Sequence, residues 1–383
     1  MMNKRTFFYV FFIFYAFYSY SQSNQQDQLS IFHTTRASGL AGSVSSVPEG
    51  IESLLYNPAG LSADLPWDSM RWTFILSGNT FFQPKYLFSV MNDVSQTGNS
   101  EGQLLVNAKD LITSSGTGST FTLSTACTGK NWGSGFFLSG AFFLDGKPFP
   151  LGTEGYIQFE LNVPIAFSMA LYKTSSFSLD AGIVLRPGIT LYKNLNGSDV
   201  DSIIGGTQTF RSLISDTVKQ PYFSLPADTG VILTFFDKPY DKAQIRFSCV
   251  TKNLFGDYII PGSAIKPLPY PVSLRTGGAI LLPFRLFGVK FYTLFSAELQ
   301  NVNFLAAGTI SIWDSLCLGL EFSVAKILRF QMGLTSGYPC IAARLSVFWA
   351  SMAFSWQTVE TGNNLNDNPL SVFRVSLLFN PDK

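Results

Sequence analysis

Histidine is nearly absent: the 383 residues hold one, His33. His-dependent catalysis and His-ligated metal sites lose their usual ligand and base, and a Ser–His hydrolase loses its base. Charge is scarce too, at 13% of residues against a usual ~25%. The net charge of +1 offers no basic surplus for nucleic acid. Four cysteines, Cys127, Cys249, Cys317 and Cys340, are too few for a disulfide scaffold. They fall within apolar-patterned segments and read as small apolar residues. A Cys317–Cys340 bridge requires a register that brings their Cα atoms within ~7 Å. After the N-terminus there is no uninterrupted apolar run of about 18 residues, so helical membrane spans are not expected. The best stretch, Ala279–Phe295, is broken by Pro283, Arg285 and Lys290.

Apolar residues are abundant: 46% of the chain is hydrophobic, 15% is aromatic and 37 residues are Phe. The first of them serve export. Lys4 and Arg5 precede an apolar core from Phe7 to Tyr18, and Ser19 and Ser21 fit the −3 and −1 positions of a cleavage site before Gln22. This is the pattern of a cleaved signal peptide, residues 1–21. An exported chain this apolar without helical spans can enter lipid only as a closed β-barrel.

The remaining pattern has period two, the spacing at which strand side chains share a face. Ile157, Phe159, Leu161, Val163, Ile165 and Phe167 alternate with Gln158, Glu160 and Asn162. Phe177, Leu179, Ala181, Ile183 and Leu185 oppose Ser178, Asp180 and Arg186, and Ile245, Phe247 and Cys249 oppose Gln244, Arg246 and Ser248. Val289, Phe291 and Phe295 oppose Lys290, Ser296 and Glu298, and Val375 and Leu377 oppose Arg374 and Ser376. A soluble sandwich alternates as well, but these segments exceed the usual strand of ~5–6 residues. Tight turns, expected at Gly129–Trp132, Lys173–Ser175, Asp237–Asp241 and Trp313–Ser315, contrast with polar loops at 92–117 and 193–220, the first with room for a helix at Leu104–Ile112. Short turns at one end and long loops at the other describe an outer-membrane barrel. Fifteen or sixteen segments read as strands, including 82–91 and 303–313, the count turning on whether 338–358 is one strand or two. Bacterial barrels favour even counts, so the expectation is an all-β transmembrane antiparallel barrel of about 14 strands over residues 69–383, with 16 as the alternative. Trp67, Trp72, Trp132, Trp313, Trp349 and Trp356 fall mostly near strand ends, as an interfacial girdle requires.

Residues 22–68 break the strand pattern and read as a plug or capping segment. A Gln-rich start gives way to small residues from Ala37 to Ser46; then Pro48, Glu49 and Glu52 mark a short helix that ends before Asn57-Pro58. The run Arg36-Ala37-Ser38-Gly39-Leu40-Ala41-Gly42, followed by Tyr56-Asn57-Pro58-Ala59-Gly60-Leu61, resembles the N-terminal hatch of the FadL family of outer-membrane long-chain fatty-acid channels. Lys252-Asn253-Leu254-Phe255-Gly256, and the segments Gly319–Phe322, Arg329–Gly333 and Thr358–Gly362, resemble the related PorV-like branch. The resemblance implies a fourteen-stranded barrel plugged by the N-terminal segment, binding hydrophobic molecules outside and passing them inward as the hatch shifts, in some members through a lateral opening. It implies a hatch role for Asn57, Pro58, Ala59 and Gly60, and a fatty acid-like ligand and outer-membrane lipid as partners of a monomer. It implies no cofactor and no catalysis. The chain departs from many such barrels by carrying Asn380-Pro381-Asp382-Lys383 after Phe379.

Glu160, Asp180, Arg186, Arg246, Lys252, Lys290, Glu298 and Arg374 form the expected lumen-facing charges. They read chiefly as mutually satisfying ion pairs, with Arg186 or Arg246 as candidates to contact a carboxylate headgroup. The alternative function is a PorV-like barrel that tethers a protein partner or acts as an adhesin; an open porin ranks third.

Overall fold

A computed structural model describes residues 33–63, 71–82, 117–145, 154–174, 176–195, 221–236, 243–256, 258–259, 272–286, 289–308, 310–325, 327–360 and 369–380. The signal segment, the Leu104–Ile112 helix, the loops at 92–116 and 196–220, the 237–241 turn and the expected 82–91 strand beyond Phe82 lie outside those residues.

Fourteen antiparallel strands close into one barrel. They are β1 (Arg71–Phe82), β2 (Thr117–Gly129), β3 (Trp132–Asp145), β4 (Glu154–Asn162 with Ile165–Lys173), β5 (Phe177–Leu185 with Gly188–Leu195) and β6 (Pro221–Ser224 with Ala227–Phe235). They continue as β7 (Gln244–Leu254, extended by Tyr258–Ile259), β8 (Ser273–Leu286), β9 (Val289–Leu299), β10 (Leu316–Val324), β11 (Leu328–Thr335), β12 (Tyr338–Val347), β13 (Ala350–Glu360) and β14 (Pro369–Phe379). Each strand pairs with the next, and β1 pairs with both β2 and β14, so no edge is left. The connections at 130–131, 174–176, 287–288, 325–327 and 348–349 mark a short-turn end; 83–116, 196–220, 260–272 and 300–315 join strands at the other. The latter end also holds one tight turn, Ser336-Gly337, with φ of 49° and 78°, the two positive values of a type I′ hairpin.

The two faces fall as the alternation requires. Phe247, Phe295, Val375 and Leu377 point outward and are exposed, while Arg246, Ser248, Ser296, Glu298, Arg374 and Ser376 are buried inside. This inversion of a soluble core suits a lipid-facing wall with a polar lumen.

Three neighbouring strands are broken at proline: β4 at Val163-Pro164, β5 at Arg186-Pro187 and β6 at Leu225-Pro226. Proline has no N–H for the ladder. Its carbonyl still accepts, and the breaks connect diagonally across the wall: Gly135 N to Pro164 O at 3.1 Å, Val163 N to Pro187 O at 3.0 Å, Arg186 N to Pro226 O at 2.9 Å. The alternation runs through these prolines in sequence, so each strand reads there as continuous.

Two expectations are corrected. Residues 303–313 are not a strand, and Trp313–Ser315 is not a tight turn. They form helices α4 (Val302–Ala306) and α5 (Ile312–Ser315), the latter started by a capping box between Ser311 and Asp314. With 303–313 removed, 338–358 split into β12 and β13, and no separate 82–91 strand among the described residues because β1 pairs directly with β2, the count is fourteen. Trp72, Trp132 and Trp349 stand at strand ends, but Trp356 lies within β13. The Cys317–Cys340 bridge is absent. Cys317 is on β10 and Cys340 on β12, with β11 between them, and two strand spacings of ~4.8 Å exceed disulfide reach. All four cysteines are free.

The barrel's apolar core lies inside it, around the N-terminal segment. Helices α1 (Thr35–Gly39), α2 (Glu52–Leu55) and α3 (Gly60–Ala63) and their connections fill the lumen. Leu40, Val44, Leu54 and Leu61 pack in one cluster with Ile75, Phe137, Val184 and Leu294 of the wall. The expected helix after Pro48 forms as α2 and ends at Tyr56, before Asn57-Pro58.

Candidate functional site

The small residues of the N-terminal segment let it approach the wall closely, and their hydroxyls meet wall hydroxyls. Thr35 Oγ1 is 2.6 Å from Ser376 Oγ, Ser43 Oγ 2.7 Å from Ser296 Oγ, and Ser45 Oγ 2.8 Å from Ser248 Oγ. Ser45 N donates to Glu298 Oε2 at 3.0 Å. Arg374 reaches across the segment, donating from Nε to Asn79 Oδ1 and from NH1 to Ser38 Oγ, both at 2.7 Å. His33 is tied in as well: its Nδ1 lies 2.9 Å from the Tyr56 hydroxyl, which also accepts from Thr34 N at 3.3 Å. Burial, then the neighbouring Glu52 charge, push the Tyr56 phenol up, so it stays a neutral hydroxyl.

Asn57-Pro58-Ala59-Gly60 forms a turn against the wall between β5 and β6. Asn57 is fully buried; its Nδ2 donates to Ser45 O at 2.8 Å and Val231 O at 3.4 Å, and its Oδ1 accepts from Ala59 N at 3.1 Å. The turn fits because Gly182 and Gly230 are cross-strand partners there. A Cβ on Gly182 would stand 2.6 Å from Pro58 C, and one on Gly230 2.0 Å from Asn57 Oδ1. Gly60 is itself pressed by Pro48 and Ser53. The motif is therefore a fitted corner: Pro fixes its φ and Asn bonds both its own segment and the wall.

A buried charge cluster joins the segment to the opposite side of the barrel. Arg36 donates from Nε to Glu321 Oε2 at 2.7 Å and from NH1 to Glu52 Oε2 at 2.6 Å and Val47 O at 3.0 Å. Glu321 also accepts from Gln331 Nε2 at 3.2 Å. Arg329 NH1 donates to Glu49 Oε2 at 2.7 Å. Burial would push the Glu49 carboxyl up, but the Arg329 and Arg36 guanidiniums outweigh it and hold the group well below the usual carboxylate range.

Beneath the segment, toward the short-turn end, lies a cavity of about 810 Å³. Its size falls in the usual small-molecule range of ~300–1,000 Å³. Ile51, Leu55, Ile75, Phe137, Leu281 and Leu294 supply apolar wall; Glu49, Glu52, Arg246, Arg329 and Arg344 supply charge.

Of the two headgroup candidates, Arg246 lines this cavity and is buried, with NH2 donating to Gln244 Oε1 at 3.1 Å. Arg186 does not line it; its NH2 is bound to Asp228 Oδ1 at 2.8 Å and to Asn253 Oδ1, beside the β5 proline break. Asn253 N also donates to Asp228 Oδ1 at 2.8 Å, and its φ is +59°. The Lys252–Gly256 run is thus anchored through Asn253 as a wall corner. Of the expected charges, Glu160, Asp180, Glu298 and Arg374 are buried inward; the Lys290 side chain lies outside the described residues. The expected ion pairs occur, but with partners the alternation did not single out: Arg186 with Asp228, and Arg275 with Glu298 at 3.9 Å. The residues missed were Glu49, Glu321, Arg329 and Arg344. Their signal was present for the wall members, since Glu321 and Arg329 sit on polar faces beside Phe322 and Phe330.

No family model matches the chain, and no curated protein does. Among solved structures, the chain is similar to a deletion mutant of the monoaromatic hydrocarbon channel TodX, at 12% identity and a TM-score of 0.48, over 91% of this chain and 98% of that one. The Pseudomonas putida toluene transporter TodX matches at 11% identity and a TM-score of 0.45, over 92% and 98%. A Pseudomonas aeruginosa FadL homologue matches at 9% identity and a TM-score of 0.41, over 91% and 98%.

Proposed function

We propose that this chain is an outer-membrane channel for hydrophobic small molecules, long-chain fatty acids among them, with residues 33–63 as a hatch that must shift for passage. The observation that carries the reading is the filled lumen. The N-terminal segment occupies the barrel by close packing and a handful of polar anchors, and leaves on its short-turn side a partly apolar cavity. A hydrophilic pore would leave its lumen open. A tethering barrel has no use for an apolar cavity under a plug.

The resemblance of Arg36–Gly42 and Asn57–Gly60 to the FadL hatch supports the same reading. Asn57-Pro58-Ala59-Gly60 then anchors the hatch at the Gly182–Gly230 socket, and Arg36 anchors it at Glu321.

The test is uptake into proteoliposomes. Labelled oleate should enter vesicles carrying the intact protein while a labelled sugar is excluded, and deleting residues 22–61 should admit sugar. Exclusion of oleate by a folded protein would defeat the reading and favour a protein-tethering barrel. Passage of sugar through the intact protein would make it a porin.

A further inference from the structure

Arg329 of β11 and Arg344 of β12 are direct cross-strand partners, and both line the cavity under the N-terminal segment. Like charges in directly opposed positions of an antiparallel pair repel, so an anion is needed between or beside them. Within the protein two carboxylates serve Arg329: Glu49, which reaches from the segment to its NH1 at 2.7 Å, and Glu321 of β10, farther off at 3.8 Å; Glu49 is the one the segment brings. Its fit is incomplete. The Glu49 side chain remains 42% exposed to the cavity, and Arg344 holds only Ser351 Oγ, at 3.1 Å from NH2, while its Nε is buried with no hydrogen-bond partner among the described residues. Glu49 also sits in a turn with room to move: next to it Gly50 has φ +54° and open space around its Cβ position.

From this geometry we infer that the Arg329–Arg344 pair is a binding site for the anionic headgroup of an amphiphile, with Glu49 as a built-in competitor that occupies it when the ligand is absent. The inference rests on the channel reading and adds its chemistry and regulation. The ligand class is a carboxylate on an apolar chain, because Leu294 and Leu281 continue the site with apolar wall. A carboxylate can accept from both guanidiniums at once, which Glu49 does not. Its arrival displaces Glu49 and removes one of the ties between hatch and wall, so headgroup binding and hatch release are a single exchange of anions.

The test is calorimetric titration of the full, folded protein in amphipol with octanoate and, separately, 1-octanol. Glu49→Gln keeps the shape and removes the competing charge. It should tighten octanoate by about tenfold, the scale of one charge-assisted hydrogen bond, and leave octanol unchanged. Arg344→Gln should weaken octanoate at least as much, again without effect on octanol. Glu49 is half-exposed and Arg344 only partly buried, and unchanged octanol binding certifies that each variant is folded. Octanoate affinity indifferent to both substitutions, or octanol shifting in parallel with octanoate, would overturn the anion-exchange site while leaving the channel reading intact. Binding of neither ligand to any variant would overturn both.

Discussion

Replacing Arg36 with methionine should release the N-terminal segment from the wall and cost about 3–5 kcal/mol of its docking, the usual penalty for stranding a buried charge partner. Two buried carboxylates would lose their nearest cation, Glu52 on the segment and Glu321 on β10, both bound to this one guanidinium at 2.6 and 2.7 Å; Glu52 would keep only neutral donors and Glu321 only Gln331 and the more distant Arg329. Water must then enter to solvate them. The strand ladder is untouched, so the barrel should persist while the segment frays. Proteolysis timed within residues 33–63 against heat-dependent gel mobility of the whole barrel separates the two events. Arg36→Met combined with Glu321→Leu should recover part of the loss, because one of the orphaned charges is gone. Equal protection of the segment in the parent and in Arg36→Met would mean that the ion pairs are incidental to docking.

A bulkier effect is expected at the socket for Asn57-Pro58. Gly230→Val places carbon atoms where Asn57 Oδ1 and Cγ now stand, and a Cβ alone would be 2.0 and 2.8 Å from them. Backbone on the strand side and a proline on the other leave little slack, and overpacking of this kind costs ~1–3 kcal/mol. The turn must lift from β5 and β6, disturbing α3, which follows it and packs against the same strands. The readout is ionic conductance in a planar bilayer: small for the parent, raised severalfold for Gly230→Val. Gly278→Ala is the matched control, since a Cβ there meets only ordinary contacts of 3.4–3.5 Å and the backbone change is similar. If Gly230→Val stays as closed as the parent, the turn is not what seals that side.

Strand order and the inside–outside assignment were legible because both are properties of contiguous sequence. Each segment carries its own period, and Arg246 inward with Phe247 outward needs no knowledge of neighbours. The Asn57–Gly60 corner was legible for the same reason: its turn chemistry lies in four adjacent residues. The failures share a cause too. Residues 303–313 are apolar without clean alternation, and the local signal that decides them, Ser311 three before Asp314, is a capping pattern that the strand reading left out of account. The charge cluster was illegible because its members meet only through register: Arg36 and Glu321 are 285 positions apart, and a slip of one residue on β10 would turn Glu321 out to lipid. Arg186 illustrates the limit from the other side. Its polar face was read correctly, but that Asp228 and Asn253 already engage it depends on three strands lying side by side.

The placement of the apolar core has a consequence for biogenesis. Residues 33–63 leave the ribosome before any strand, yet their partners are among the last made: Thr35 meets Ser376 across 341 positions and Arg36 meets Glu321 across 285. Contacts of such separation form slowly. Until β14 arrives to pair with β1, the apolar residues of this segment have no closed lumen to be buried in. Closing the cylinder and enclosing its contents are therefore one step, and the segment's apolar residues wait for the whole interval before that step.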